Sequence, residues 1–127
     1  MILNLETDYA IRIVHYIASK KCRCDASTIA EKTGVTTRFS LKILRKLALA
    51  GIVKSYKGAK GGYELARPAC EITLGEVIGV MYGEPIFSNC QGGKQVCTHP
   101  KGVCYFKDVF DDVSDYMRDK FDKATFE

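Results

Sequence analysis

Two short helical segments that flank a glycine turn, within residues 26–50, constrain the fold of this chain more than any other feature. Gly34 follows the first segment at a position where glycine commonly ends a helix. Thr36 or Thr37 then caps a second helix, which Gly51 ends. Two short helices joined through a glycine-containing turn are typical of the helix-turn-helix motif, which the sequence therefore predicts.

The second of these helices is cationic on one face. On a wheel of about 100° per residue, its cations fall within roughly 100° of arc; they are Arg38, Lys42, Arg45 and Lys46. Its apolar residues share the opposite face: Phe39, Ile43, Leu44 and Leu47. A solvated lysine-rich face is common on surface helices, but the preceding helix and turn favour a DNA-reading helix. We expect Thr37, Arg38 and Lys42 to meet base edges and Arg45 and Lys46 to bind phosphates.

Residues 52–66 predict a β-hairpin wing. Two runs suited to strands, residues 52–56 and 63–66, flank a glycine-rich turn at 57–62. This turn lacks both the P-loop pattern and a following helix, so we do not interpret it as a nucleotide site. Lys57 and Lys60 at the tip are expected to contact DNA phosphates, and the glycines are expected to permit close approach.

Further helices are predicted on both sides of this unit. Thr7 is the expected N-cap of a first helix that runs to about Lys20, with His15 packed in the core. Residues 73–76 have the capping-box form that opens a short apolar helix. A last helix carries a stripe at three-or-four spacing, formed by Phe106, Val109, Phe110, Val113, Tyr116, Met117 and Phe121. This stripe needs a partner surface, which is either the chain's own first domain or a second copy, and we expect a homodimer.

Charge divides the chain after Ala69. Residues 1–69 hold 13 Lys or Arg against five Asp or Glu, whereas residues 70–127 hold six against ten. A basic region beside an acidic one indicates a polyanion-binding module joined to a second unit. We predict a mainly α fold with a small β-hairpin. A winged helix-turn-helix DNA-binding region occupies residues 1–69. A short helix, a cysteine loop (88–104) and a long C-terminal dimerisation helix (105–123) occupy residues 70–127.

The sequence contains no pattern that targets it to a membrane. The longest segment without a charged residue is nine residues, 85–93, whereas a membrane-spanning helix needs about 20 apolar residues. Residues 1–8 lack the basic and apolar regions of a signal peptide. We therefore expect a cytoplasmic protein with no membrane partner, whose cysteines are reduced.

Three of the six cysteines are evenly spaced, with six residues in each gap: Cys90, Cys97 and Cys104. The reducing compartment disfavours disulfides, and zinc sites usually contain close pairs such as C-x2-C. Three thiolates on a glycine-containing loop suit an iron–sulfur cluster. Spacing alone leaves zinc and a cluster both open. The remaining three are interpreted as small residues outside the site, with sensor thiols as the alternative: Cys22, Cys24 and Cys70.

The wing sequence KGAKGGYEL at residues 57–65, the ITLGEVI segment at 72–78, the cysteine triplet and the terminal helix together resemble one protein family. It is the Rrf-type family of bacterial transcription regulators, of the IscR and NsrR kind. The resemblance covers nearly the whole chain and implies a dimeric winged-helix regulator that dimerises through its terminal helix.

The resemblance also implies a ligand set. Cys90, Cys97 and Cys104 would hold an iron–sulfur cluster, either 2Fe–2S or 4Fe–4S. Lys107 stands where IscR-like members have a histidine ligand. Other members imply Asp8, from the partner subunit, as the fourth ligand; His99 is the reserve candidate.

These observations predict a sequence-specific transcription regulator that acts as a repressor. Its affinity for a palindromic operator in double-stranded DNA would be switched by a cluster that senses iron, redox state or nitric oxide. A thiol- or zinc-based regulator without a cluster, and a small electron-transfer iron–sulfur protein, are the alternatives. No carboxylate pair or nucleophile–base arrangement indicates an enzyme.

Overall fold

The structure, a computed structural model, describes residues 3–83 and 105–127. Within these ranges, α1 (Leu5–Lys20), α2 (Ala26–Thr33) and α3 (Thr37–Leu49) come first. An antiparallel hairpin of β1 (Val53–Tyr56) and β2 (Gly62–Leu65) follows, with a 3-10 turn at Ala69–Glu71. The last elements are α4 (Leu74–Met81) and α5 (Tyr105–Lys123). The predicted winged helix-turn-helix with a long C-terminal helix is confirmed.

The core lies where α1, α2 and α3 meet. Its largest fully buried side chains include Ile13, Ile17, Ile29, Ile43, Leu44 and Leu47. Burying an aliphatic side chain of this size contributes about 1.5–3 kcal/mol relative to leaving it exposed. Phe39 is half-buried and meets the ring of Tyr9 edge-on, with 5.5 Å between centroids. The face of α3 that the wheel predicted to be apolar is therefore the face that packs.

The residues that the sequence indicated end α2 and begin α3. Gly34 adopts φ 75° and its N–H donates to the Ala30 carbonyl at 3.0 Å. This left-handed backbone favours glycine, which has no Cβ. Thr36 then caps α3, because its hydroxyl accepts the Phe39 N–H at 3.2 Å.

The N-terminus of α1 corrects one prediction. The Asn4 side chain accepts the Thr7 backbone N–H at 2.8 Å, so Asn4 is the N-cap and the prediction of Thr7 is wrong. Thr7 is fully buried, and its hydroxyl donates to the same Asn4 oxygen at 2.7 Å. Both residue types cap helices, but Asn4 satisfies the N–H and the hydroxyl of Thr7 together.

The apolar residues of α5 form two adjacent stripes. The inner stripe lies on the side of α4 and consists of Phe110, Met117 and Phe121, which are half-buried. The buried Ser114 lies among them. The outer stripe of α5 is exposed and consists of Tyr105, Phe106, Val109, Val113 and Tyr116. A Cβ at Gly75 would displace the Asp122 carboxylate, whereas the Asp122 backbone nitrogen, 3.4 Å away, would be in ordinary contact with it.

The chain returns to its first half after α5 through a C-terminal strap, residues 124–126. The Leu74 N–H donates to the Ala124 carbonyl at 2.8 Å, and the Phe126 N–H donates to the Ile72 carbonyl at 3.2 Å. The Phe126 side chain packs against the core. The strap thus fixes the C-terminal end of α5 to the segment that follows the wing. In the described ranges, no helix combines the length and hydropathy needed to span a membrane.

Candidate nucleic-acid interface

The outward face of α3 carries the side chains predicted to read DNA. Thr37, Arg38, Lys42, Arg45 and Lys46 are all exposed, whereas Ile43, Leu44 and Leu47 on the other side are fully buried. Four of the five line a single open groove along the helix, and Leu41 lines it with them. The sequence placed the cations on one face, and the structure brings them together there.

Two of these cations contact an anionic side chain of α1. The Lys46 Nζ lies 2.6 Å from Glu6 Oε1, and the Lys42 Nζ lies 3.7 Å from Glu6 Oε2. The hydrogen bond from Lys46 lowers the pKa of Glu6, although partial burial opposes this shift. Glu6 is therefore ionised at neutral pH and partly neutralises the cationic face.

The wing projects Lys57 and Lys60 from its exposed tip. Two of the neighbouring glycines have a structural role within the chain. A Cβ at Gly61 would collide with the Tyr56 carbonyl, and a Cβ at Gly62 would lie 2.7 Å from the Cys24 carbonyl oxygen. These two glycines are therefore needed for the tight turn and for packing of the wing. At Gly58, in contrast, a Cβ would meet nothing within 4 Å.

The base of the wing is attached to the segment between α1 and α2. Cys24 and Tyr63 exchange two backbone hydrogen bonds, of 2.9 and 2.8 Å. The Arg23 guanidinium lies 3.4 Å from the centroid of the Tyr56 ring and 4.0 Å from the Glu64 carboxylate. Tyr56 donates its hydroxyl to Glu64 at 2.5 Å. This arrangement sets the position of the wing lysines relative to α3.

Sequence reasoning missed three residues of this surface. Leu41 was detectable, because on the wheel it falls about 40° from Arg45, at the edge of the cationic face. Glu6 and Arg23 act across the fold, on Lys46 and Tyr56, and no local pattern links such distant residues.

Residues 3–127 match the Rrf2 family, described as iron-dependent transcriptional regulators. The chain belongs to the Rrf2 family. This confirms the resemblance seen in the sequence. Because Rrf2 proteins are transcription regulators, it also confirms the prediction that the chain is not an enzyme.

Known proteins of similar sequence and structure agree with this assignment. The Rrf2 chain is 37% identical to protein aau3 of Rhizobium meliloti over 91 residues, which are 71% of this chain and 59% of that protein. The chain spans less than two thirds of the length of the first curated relatives that it matches.

Two solved structures share the Rrf2 fold described above. CymR, the global cysteine regulator of B. subtilis, superposes with a TM-score of 0.82 at 22% identity, covering 99% of this chain and 93% of CymR. IscR of T. potens superposes with a TM-score of 0.79 at 24% identity, covering 99% of this chain and 83% of IscR. At these identities the likeness establishes the fold.

The expected metal ligands of this Rrf2 chain are described only in part. Cys90, Cys97, His99 and Cys104 lie outside the described residues. Within residues 3–83 and 105–127, no three Cys, His, Asp or Glu side chains come together in a way that could hold a metal ion. The donor set in the sequence, three thiolates, suits an iron–sulfur cluster.

Asp8, the expected fourth ligand, is exposed on the first turn of α1. It lines an apolar groove between α1 and the C-terminal strap, together with Arg12 and His15. None of the side chains described pairs with the Asp8 carboxylate. His15 is exposed in the same groove, so the prediction of a core histidine is wrong. Its place on α1 faces outward from the apolar side formed by Ile13 and Ile17.

The cysteines outside the triplet differ in accessibility. Cys22 and Cys70 are exposed, whereas Cys24 is buried beneath the wing attachment. The Cys24 thiol donates to the Cys22 carbonyl at 3.5 Å. Burial raises the pKa of Cys24, which keeps it as an unreactive thiol at neutral pH.

Proposed function

We propose that this Rrf2 protein is a sequence-specific DNA-binding transcription regulator that acts as a repressor. One observation carries the proposal: the face of α3 opposite its buried apolar residues is open, and it presents Arg38, Lys42, Arg45 and Lys46 to solvent. In a helix-turn-helix, the second helix enters the major groove and reads base edges from its N-terminal half.

The residues of this surface divide by role. Arg38, on the first turn of α3, hydrogen-bonds to guanine in a bidentate manner, a contact that discriminates against the wrong base by about 1–3 kcal/mol. Thr37 and Lys42 contact neighbouring base edges. Phosphates are bound by Arg45, Lys46, Lys57 and Lys60, which position the protein without reading sequence.

A homodimer on a palindromic operator completes the proposal. The outer stripe of α5 places five large apolar side chains in solvent, which supports burial against a second copy. A twofold dimer then presents two α3 helices to half-sites one DNA turn apart, about 34 Å.

Selection from random duplexes with the full chain tests this function. We expect one palindromic sequence to be enriched and its binding to weaken as salt rises. Arg38→Ala should lose the preference at one base pair of each half-site. Lys60→Ala, the matched control, should weaken binding to all duplexes equally. A protein that binds no duplex at low salt would refute the function, and Arg38→Ala with unchanged base preference would refute the role of Arg38.

We also propose that Cys90, Cys97 and Cys104 hold an iron–sulfur cluster, with Asp8 of a second copy as the fourth ligand. The thiolate donor set, the exposure of Asp8 and the description of the family as iron-dependent support this. When bound, such a cluster supplies a centre that oxygen, nitric oxide or loss of iron alters. Asp8 and Glu6 both lie on the first turn of α1, but they are about 200° apart around the helix. Asp8 lines the groove beside the C-terminal strap, whereas Glu6 contacts Lys42 and Lys46.

Anaerobic purification with iron and sulfide analysis and visible absorbance tests the cluster. We expect iron and sulfide in proportion, and their loss in Cys97→Ser. Asp8→Ala should retain the iron less firmly during dialysis, whereas Glu31→Ala, a change at an exposed carboxylate of α2, should not. A colourless protein that binds zinc tightly would refute the cluster.

A thiol-based or zinc-based regulator is the second candidate. The fold similarity to CymR, a cysteine regulator, favours it, as does the exposed Cys22. Unchanged DNA binding and unchanged responses to iron and oxidants after replacement of all three triplet cysteines would support a thiol-based switch outside the triplet. An iron-free wild-type protein that binds zinc tightly would support the zinc-based one. An electron-transfer protein has no need of the cationic α3 and wing.

A further inference from the structure

Leu41 is an apolar side chain placed among the cations of α3. It is 40% exposed, whereas Ile43, Leu44 and Leu47 of the same helix are fully buried. It shares an open groove with Thr37, Arg38, Lys42 and Arg45. The side chains that α3 buries are Ser40, Ile43, Leu44 and Leu47, so Leu41 is not among the residues that hold the helix to the core.

The position of Leu41 limits what it can contact on DNA. It is the fifth residue of α3 and lies one turn after Arg38, in the N-terminal half that reaches base edges. An isobutyl group can neither donate a hydrogen bond nor neutralise a phosphate. Among the groups at the edges of base pairs in the major groove, the C5-methyl of thymine is the apolar one.

We propose that Leu41 is a specificity-determining residue that reads thymine through its C5-methyl group. The proposal rests on the DNA-binding function proposed above. Contact between Leu41 and the methyl removes both apolar groups from water, and burial of one such carbon changes affinity by about fourfold. A cytosine in the same place offers its amino group to a side chain that cannot accept a hydrogen bond, so Leu41 also disfavours it.

The test isolates the methyl group. In the preferred duplex obtained by selection, each thymine is replaced in turn by uracil, which lacks only the C5-methyl. We expect the wild-type chain to lose about three- to fivefold in affinity per half-site at one thymine. Leu41→Ala should lose affinity for the original duplex and show no further loss on uracil substitution at that thymine. Leu41→Met, which keeps an apolar side chain of similar length, should retain the dependence on the methyl group.

Leu49→Ala is the matched control, because Leu49 is 85% exposed at the last residue of the same helix. It should keep the full effect of uracil. Circular dichroism and thermal melting check that Leu41→Ala folds. If Leu41→Ala does not fold, the comparison of wild type with Leu41→Met still provides a test. Sequence-specific binding in which no thymine depends on its methyl group, or in which Leu41→Ala keeps that dependence, would overturn this inference alone. Absence of any DNA binding would instead refute the proposed function.

Discussion

Glu6 places an anion where a DNA phosphate would bind. Its carboxylate contacts Lys46 and Lys42 of α3, and its side chain is only 18% exposed. A phosphate that approaches these lysines must therefore share them with Glu6 or displace it. If the α3 lysines bind DNA as proposed, we expect Glu6 to compete with phosphate for them and to lower nonspecific attraction to polyanions.

Glu6→Gln should raise the affinity for DNA by about two- to fivefold, because the competing ion pairs are each worth up to about 1 kcal/mol. The salt dependence should steepen by about one unit in log–log slope, since one further phosphate is neutralised. Fluorescence anisotropy at several salt concentrations measures both. Glu31→Gln on α2 is the control and should have a smaller effect. Weaker binding by Glu6→Gln would show that Glu6 positions the lysines instead.

The same ion pair makes part of the stability depend on pH. The pKa of Glu6 is lowered in the folded chain, foremost by the Lys46 hydrogen bond. Its stabilisation is therefore present above the usual glutamate pKa of about 4.3 and lost as pH falls through the lower native pKa. Urea titrations from neutral pH downward should show wild type more stable than Glu6→Gln at neutral pH, and the difference should vanish in acid. A difference that persists in acid would contradict this.

Burial should separate the three described cysteines chemically. In the folded protein we expect iodoacetamide to modify Cys22 and Cys70, and to leave Cys24 unmodified because Cys24 is only 6% exposed and its thiol pKa is raised. Mass spectrometry of the peptides measures this. In denaturant all three should react. Rapid alkylation of Cys24 in the folded protein would mean that the wing detaches from this segment.

The wing is held to the segment between α1 and α2 by backbone contacts that depend on glycine at residue 62. Gly62 has φ 140°, and its Cα lies against the carbonyl of Cys24. The close approach of β2 to the segment before α2 thus requires glycine at the start of β2.

Gly62→Ala should destabilise the fold by about 1–3 kcal/mol, because the new Cβ meets backbone that cannot move aside. Gly58→Ala is the matched control: Gly58 also has positive φ, at 94°, but open space around it. It should carry only the backbone strain and cost less. Urea unfolding of both variants measures the difference, and equal losses would show that contact with Cys24 contributes nothing.

The helices and their ends were easier to predict from the sequence than the surfaces that they contact. Gly34, Thr36 and the boundaries of α5 follow from local caps and spacing, so the sequence predicts them within a residue or two. The start of α1 was missed because Asn4 and Thr7 are both capping residues, and burial of Thr7 decides between them. The division of the α5 stripe was missed because periodicity shows that a face is apolar without showing what covers it. At the candidate site, the cations were predicted from the wheel, whereas Glu6 was not, since its contacts are made across the fold.

Across the whole molecule, the outer stripe of α5 is an exposed set of large apolar side chains on one helix face. Its side chains are 38–73% exposed. Contiguous apolar surface of this kind on one chain marks an interaction site.

Val113→Asp should shift the protein from dimer to monomer, because a charge buried in an apolar interface costs far more than the valine contacts contribute. Sedimentation velocity measures the state. Leu49→Asp, at an exposed leucine of α3, is the control and should leave the dimer intact. The monomer should keep its helical content and lose affinity for the palindrome more than for a half-site. A wild-type chain that sediments as a monomer at high concentration would refute the dimer.

The C-terminal strap fixes one end of α5. Its 19 residues span about 28 Å, and hydrogen bonds to the segment after the wing hold one end. A swing of about 10° around that end moves the Tyr105 end by about 5 Å, more than the rise of about 3.4 Å between successive base pairs. The residues directly before Tyr105 are those that carry the cysteine triplet. A displacement of about 5 Å introduced there would therefore require α5 to turn by only about 10° about the strap.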